Sequence, residues 1–432
     1  MKVLKFGGTS VGSADRMKNV AKIIGSEGGN IVVLSAMSGT TNALIGISEA
    51  ITAGKRDEAL SLISELENKY AGVIEALYDS EDYRAQAREA VGASFVLLRT
   101  FPGDKEIVAQ GELMSTRLFT LYLHSIGVNA ALLPALDYMR IDENGEPDLK
   151  AISEKLAVVI DNAGKAPIYI TQGFICRNAC GEIDNLKRGG SDYSASLIGA
   201  AVGADEIEIW TDIDGMHNND PRFVEHTAPV KHLHFEEAAE LAYFGAKILH
   251  PTCILPAREA NIPVRLLNTM EPAARGTLID NHLDDNGIKA VAAKDNITAI
   301  KIKSGRMLLA YGFLRKVFEI FETYRTPIDM IVTSEVGVSV TIDDCSNLQP
   351  IVTDLEKLGS VTVDTDMVII CIAGDLEWQH KGFEASVLDA LRDIPVRMIS
   401  YGGSNYNISV LVKACDKVKA LNLLSSHLFN RN

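Results

Sequence analysis

Two glycine pairs and a few charged side chains carry the chemistry open to this sequence. Lys5-Phe6-Gly7-Gly8, within KFGGTSV at residues 5–11, ends the first apolar run and precedes a helical segment. Adjacent glycines let backbone N–H groups approach an anion, a helix N-terminus adds partial positive charge, and Lys5 adds a full one. The combination suits a phosphate group, and it also makes a tight β–α turn with a surface lysine. It matches neither GxxxxGK[ST] nor GxGxxG. The second pair stands in RGGSDY at 188–193. Arg188 offers a planar fork to a carboxylate, and Asp192 in a first helical turn can accept hydrogen bonds or orient a cation. The same residues also read as an ordinary helix start, with Ser191 as N-cap.

Further along, Trp210-Thr211-Asp212 ends a strand, and Asp214-Gly215 and Asp220-Pro221-Arg222 follow. A strand end opening into a polar loop can hold a ribose and base with Arg222 near the phosphates. Asp-Gly and Asp-Pro are also common turn formers. FGAKILHP at 244–251 puts Lys247 on the second of two consecutive helices, a place where a lysine is usually exposed. QGE at 110–112 opens a Leu- and Phe-rich helix, and SAMSGTTN at 35–42 ends the second strand; helix capping accounts for both.

The elements that must position these residues follow from periodicity. Aliphatic runs at 3–6, 31–34, 128–133, 168–171, 206–211 and 262–266 read as strands, and helical spacing recurs at 15–24, 43–53, 57–77, 81–99, 106–126, 191–202, 235–244 and 247–260. This alternation predicts an α/β fold with a mainly parallel sheet and helices on both faces, whose ligands lie at the carboxyl ends of the strands. From about residue 296 the pattern shortens to two βαββα series. The expected division is 1–290, 296–365 and 366–432, with the acidic stretch 281–287 as linker and the two smaller α+β units free to interleave.

Composition narrows the function. With 42 Lys plus Arg against 57 Asp plus Glu, the net charge of −15 disfavours nucleic acid as a partner while leaving a locally basic cleft open to a small anion. The run at 367–373 falls far short of the roughly 20 apolar residues of a membrane span, so no membrane partner is expected. The start MKVLKFGG lacks a signal-peptide pattern, which points to the cytoplasm. The six cysteines are scattered without a CxxC pair, and CRNAC at 176–180 has no matching half-site; no protein metal cage is expected.

Taken in order, KFGGTSV, LSAMSGTTN, QGELMS, TQGF, RGGSDY, WTDIDG, DPR and FGAKILHP resemble the aspartate kinase family, over essentially the whole chain. The resemblance implies an amino-acid kinase fold followed by two ACT domains of βαββαβ, ferredoxin-like build. It implies ATP and Mg²⁺, with transfer of the γ-phosphoryl group to the β-carboxylate of L-aspartate, the first step towards lysine, threonine and methionine. Carried over by motif, Lys5, Asp192 and Lys247 are catalytic. ATP falls to Lys5, Gly7, Gly8, Thr211, Asp212, His217, Asp220, Arg222 and Lys247, and aspartate to Ser35, Thr41, Glu112, Arg188 and Ser191. The tail resembles the single-function, lysine-sensitive type, implying lysine contacts at Met307, Gly312, Phe313, Leu314, Asp329 and Thr333, and a homodimer or larger homo-oligomer formed through the ACT domains. The chain departs from the family pattern at Lys187, His217, Leu309, Ala310 and Pro327. The competing readings are another enzyme of this fold, such as a glutamate 5-kinase, acetylglutamate kinase or uridylate kinase, and a non-catalytic ACT-type amino-acid sensor.

Overall fold

The computed structural model describes residues 1–25, 28–186, 189–245, 250–284, 287–305 and 311–429. Two compact units divide the chain: Met1–Met216 with Leu249–Asn281, and His217–Ile248 with His282–Asn432.

In the first unit the strands run in the order Ala130–Leu133, Ile168–Gln172, Asn30–Leu34, Lys2–Phe6, Glu206–Thr211, Val264–Asn268 and Thr277–Asp280. Every neighbouring pair is parallel except the last. Register then decides where the motifs meet. Phe6 pairs with Leu34 on one side and Trp210 on the other, and Leu34 pairs with Gln172. KFGG, SAMS, TQGF and WTD are the continuations of these strands, so they emerge along one edge of the sheet.

Helices cover the sheet by burying one stripe each. Ala14–Ile24 is capped by Ser13, whose hydroxyl accepts from the Arg16 N–H, and turns Met17, Val20 and Ile24 inward. The helices Arg56–Leu77, Glu81–Leu98 and Asp104–Ser125 bring Tyr70, Phe95 and Phe119 into the same core. A helix at Leu149–Ala163 goes unanticipated in the sequence. It buries only Ile152 and Leu156, a stripe too thin to stand out. In place of the single helix expected over 247–260, the described part is a 3₁₀ turn, Pro251–Ile254, followed by the short helix Leu255–Glu259. Pro251 and Pro256 lack the N–H donors that a continuous helix needs.

The second unit is built on a six-stranded antiparallel sheet in the order Ile331–Ser334, Gly337–Ile342, Ile288–Lys303, Ser360–Gly374, Asn407–Lys413 and Met398–Ser400. The sequence breaks at 296 and 365/366 fall inside the two long central strands. Asn296 and Asp366 take left-handed backbone there, at φ +61° and +57°. One apolar cluster gathers Ile300, Val317, Phe321 and Leu355, and another Val291, Ile370, Val387 and Leu421. Residues 288–294 thus serve the lobe completed by the C-terminal helix, and 297–363 form the other lobe. Residues 217–248, expected with the catalytic portion, pack into this unit: Val291 N–H donates to the Asn218 carbonyl (2.9 Å) and the Asn219 amide to that of Leu421 (3.1 Å). Among the described residues no helix is long and apolar enough to cross a membrane.

Candidate functional site

At the end of the central strand, Lys5 Nζ stands 2.6 Å from Asp192 Oδ1, with the two side chains 11% and 18% exposed. The contact is an ion pair whose geometry leaves that oxygen outside any directional hydrogen bond. Asp192 arrives on the helix Gly190–Val202. Its N-cap Gly189 is at φ +73°, and a Cβ there would lie 1.9 Å from Cys253 Sγ, so only glycine fits. Gly8 packs just as closely: an added Cβ would come within 2.9 Å of the Ala36 carbonyl. Ser38 N–H donates to the Gly8 carbonyl and Ser35 N–H to that of Phe6, which laces the first two loops together.

Beside this pair opens a cavity of about 440 Å³ lined by Gly8, Ser35, Thr41, Glu112, Phe174 and Ser191, among others. Ser35 Oγ donates to Ser191 Oγ across it at 2.9 Å, and Ser115 Oγ donates to the Ser35 carbonyl. Glu112 reaches it because Gly111 lets the helix Asp104–Ser125 touch the second loop; a Cβ at Gly111 would sit 2.8 Å from that of Ala36. Glu112 Oε1 accepts from the Ala36 N–H at 3.2 Å, whereas Oε2 is buried without a partner among the described residues. Burial pushes the carboxyl up to about 7, against the opposing pull of the Ala36 N–H. A buried carboxylate with one free oxygen is a socket for an ammonium group.

On the neighbouring strand Thr211 Oγ1 donates to Asp212 Oδ1 (3.2 Å), and Thr269 Oγ1 fixes the Thr211 carbonyl at 2.6 Å. Strand pairing puts these residues next to the glycine turn, where Gly7 N–H donates to the Trp210 carbonyl. The structure therefore brings together Lys5, Gly8, Ser35, Thr41, Glu112, Ser191 and Asp192, with Thr211 and Asp212 on the adjoining strand end. Arg188, Lys247 and Met307 lie outside the described residues.

His217, Asp220 and Arg222 belong to the second unit. His217 Nδ1 is 2.7 Å from Thr227 Oγ1, and Arg222 grips Asp220 at 2.6 Å. Burial works to raise the Asp220 carboxyl, but the Arg222 guanidinium and its N–H hold it below the usual carboxylate range. The described residues among the expected lysine contacts lie in the second unit. Gly312, at φ +79°, caps the helix Phe313–Thr323; Phe313 is buried in its lobe; Leu314 is exposed, and Thr333 lies on an edge strand. Asp329 lies just before the edge strand Ile331–Ser334, and its carboxylate pairs with the Lys294 ammonium at 2.6 Å.

Two contributors were missed. Phe174 lines the cavity with φ +67°, an unusual conformation for a side chain of its size, and its N–H donates to Ser194 Oγ; the Gly-Phe of TQGF is the only sequence trace. Lys69, from the helix Arg56–Leu77, donates to the Ser38 carbonyl at 2.6 Å and so supports the second loop, a tertiary contact with no local signature.

Comparison with known proteins agrees with this geometry. The model of the amino acid kinase family matches residues 1–268, and that of an ACT domain matches 370–428. The chain is 35% identical over 447 residues to lysine-sensitive aspartokinase 3 of Escherichia coli (strain K12), covering 99% of both. It is 37% identical over 460 residues to the chloroplastic aspartokinase 3 of Arabidopsis thaliana, covering 99% of this chain and 81% of the relative. The crystal structure of E. coli aspartokinase III in complex with aspartate and ADP superposes with a TM-score of 0.83 at 33% identity, over 99% of this chain and all of that one. The chain belongs to the aspartokinase family.

Proposed function

We propose that this chain moves the γ-phosphoryl group of ATP to the β-carboxylate of L-aspartate, giving 4-phospho-L-aspartate and ADP, and that the observation carrying this reading is the Lys5–Asp192 pair beside the Glu112 cavity. A carboxylate nucleophile with a reference pKa of about 3.9 is already ionised at neutral pH, so no general base is needed. The barrier lies in holding an anion in line with a polyanion, which calls for cations and backbone donors rather than proton transfer. Lys5 meets the charge on the transferring group, Asp192 keeps its ammonium in place, and the amides of Gly7 and Gly8 add donors. Lys247 supplies further positive charge. Glu112 takes the substrate ammonium, Arg188 a carboxylate, and Ser35, Thr41 and Ser191 the remaining hydrogen bonds.

Thr211 and Asp212 serve the nucleoside. His217, Asp220 and Arg222 keep their nucleotide assignment from the family resemblance alone. The donor set suits Mg²⁺ brought in on the nucleotide, since Asp192 and Asp212 offer hard carboxylate oxygens and this ion favours phosphate and water for the rest. Bound there, it would spread the charge of the phosphate oxygens.

Catalysis is assigned to 1–290 and regulation to the two C-terminal units, with lysine as feedback effector through Met307, Gly312, Phe313, Leu314, Asp329 and Thr333. The relative named lysine-sensitive aspartokinase 3 and the ACT match support that assignment. A cytoplasmic homo-oligomer joined through the ACT units completes the reading. Coupled ADP-release kinetics with aspartate, glutamate and acetylglutamate, with lysine and threonine titrated in, test it. Turnover with aspartate alone, inhibited by lysine, is expected; turnover with another acceptor, or none with aspartate, would overturn it.

A further inference from the structure

The second unit holds a cavity of about 390 Å³, and none of the residues assigned to ATP, aspartate or lysine lines it. Asn218 and residues 228–232 reach it from the segment that leads to the helix Phe235–Tyr243. Asp284, Ile288 and Lys289 come from around the start of the long strand Ile288–Lys303, and Phe429 from the end of the C-terminal helix.

Its side chains offer donors in excess. The Lys289 side chain is 5% exposed, and Glu237, at 2.8 Å, is the only partner of its ammonium among the described residues. An ammonium carries three donors, so two of them stand beside the cavity without an acceptor. Glu237 itself does not line it. Lys231 stands exposed at the rim, and its side chain makes no ion pair or hydrogen bond among the described residues. Asn218 Oδ1 accepts from the Ala228 N–H at 3.0 Å, which leaves the amide donors of Asn218 unused among the described residues. Asp284, the one carboxylate among the described lining residues, is already taken by His232 Nδ1 at 2.6 Å and His282 Nε2 at 3.4 Å. Buried donors without acceptors are rare in folded proteins, and two ammonium groups beside one cavity call for an anion.

We propose that this cavity binds a small phosphate-bearing molecule, its oxyanion held by Lys231, Lys289 and the Asn218 amide and its carbon body laid against Ile288 and Phe429. Two full positive charges and a neutral donor suit a phosphate, with its near-double charge and three strong acceptor oxygens, better than a carboxylate. At about 30 Å³ per water in the liquid, the volume corresponds to roughly thirteen waters, room for the phosphate ester of a short polyol. The site shares no residue with the phosphoryl-transfer reading and does not depend on it.

Calorimetric titration of the full chain, free of nucleotide, with glycerol phosphate and with acetate tests this. Saturable binding of glycerol phosphate in the millimolar range or tighter is expected, with acetate about tenfold weaker or worse. Lys231→Glu and Asn218→Asp should each weaken glycerol phosphate about tenfold or more. Both leave the Lys289–Glu237 pair intact, and the second keeps the acceptor for the Ala228 N–H. Lys5→Ala, in the catalytic cleft, should leave Kd within about twofold. Binding that Lys5→Ala abolishes, or that Lys231→Glu and Asn218→Asp leave unchanged, lies elsewhere and overturns the proposal. Acetate bound as tightly as glycerol phosphate overturns it too, as does the absence of saturable binding at tens of millimolar to protein that unfolds cooperatively.

Discussion

Lys5 Nζ and the Asp192 carboxylate meet at 2.6 Å at the carboxyl edge of the parallel sheet, each largely shielded from water. In that setting a lysine held by a single acid is a fixed positive charge, already placed before any substrate arrives. Fixed charge of this kind stabilises a phosphoryl-transfer transition state without reorganisation during the reaction.

Lys5→Ala should therefore lower kcat by a factor of about 10² or more while circular dichroism and thermal unfolding still report a folded protein. A folded variant with unchanged kcat would remove Lys5 from the reaction.

Glu112 makes two pH predictions of opposite sense. Its folded-state pKa, about 7, lies above the ordinary carboxylate value, so the folded protein holds a proton that the unfolded chain gives up. The substrate-free enzyme should be most favoured by this group below the unfolded pKa and should lose up to roughly 3 kcal/mol of stability as pH rises through about 7. Aspartate binding runs the other way, because the ionised carboxylate is the form that holds an ammonium, so KM for aspartate should rise as pH falls below about 7. Glu112→Gln should flatten both profiles, and a KM for aspartate independent of pH from about 6 to about 8, the range spanning this pKa, would show that Glu112 does not hold the substrate.

Gly111→Ala would drive a Cβ to 2.8 Å from that of Ala36, closer than carbon atoms approach without displacement. The second loop should shift, costing about 1–3 kcal/mol of stability and at least tenfold in kcat/KM for aspartate. Wild-type kinetics in this variant would mean that the contact does not position Glu112.

In the second unit Lys289 and Glu237 form a buried ion pair at 2.8 Å, with side chains 5% and 0% exposed. Removing only the lysine strands a charge, so Lys289→Met should destabilise this unit by about 3–5 kcal/mol, whereas Lys289→Met with Glu237→Gln should recover much of the loss. Chemical denaturation of the two variants decides this; equal losses in both would mean that the charge itself is not the cost.

How much of this was legible in the sequence depends on the range of the interaction involved. Lys5, Gly8 and Ser35 declare themselves because they end or follow strands whose aliphatic runs are plain, and parallel register then carries them to one edge, whereas Ser191 is marked by the glycine pair that opens its helix. Lys69 and Phe174 do not, since the first acts from a distant helix and the second through a backbone angle that no residue type announces. The interleaving of the two regulatory lobes was only an open possibility in the sequence. Its cause is two strands long enough to serve both lobes, broken at Asn296 and Asp366 by left-handed residues rather than by a linker. The grouping of 217–248 with the regulatory sheet rests on contacts such as Asn219 to Leu421, which connect residues far apart in the chain.

The central claim is that an acyl phosphate forms on the β-carboxylate of aspartate, and hydroxylamine trapping tests it most directly. Incubated with L-aspartate, MgATP and hydroxylamine, the wild-type protein should give aspartate β-hydroxamate in step with ADP, and Lys5→Ala should give neither at a comparable rate. ADP released without hydroxamate, or hydroxamate formed from glutamate in preference to aspartate, would contradict it.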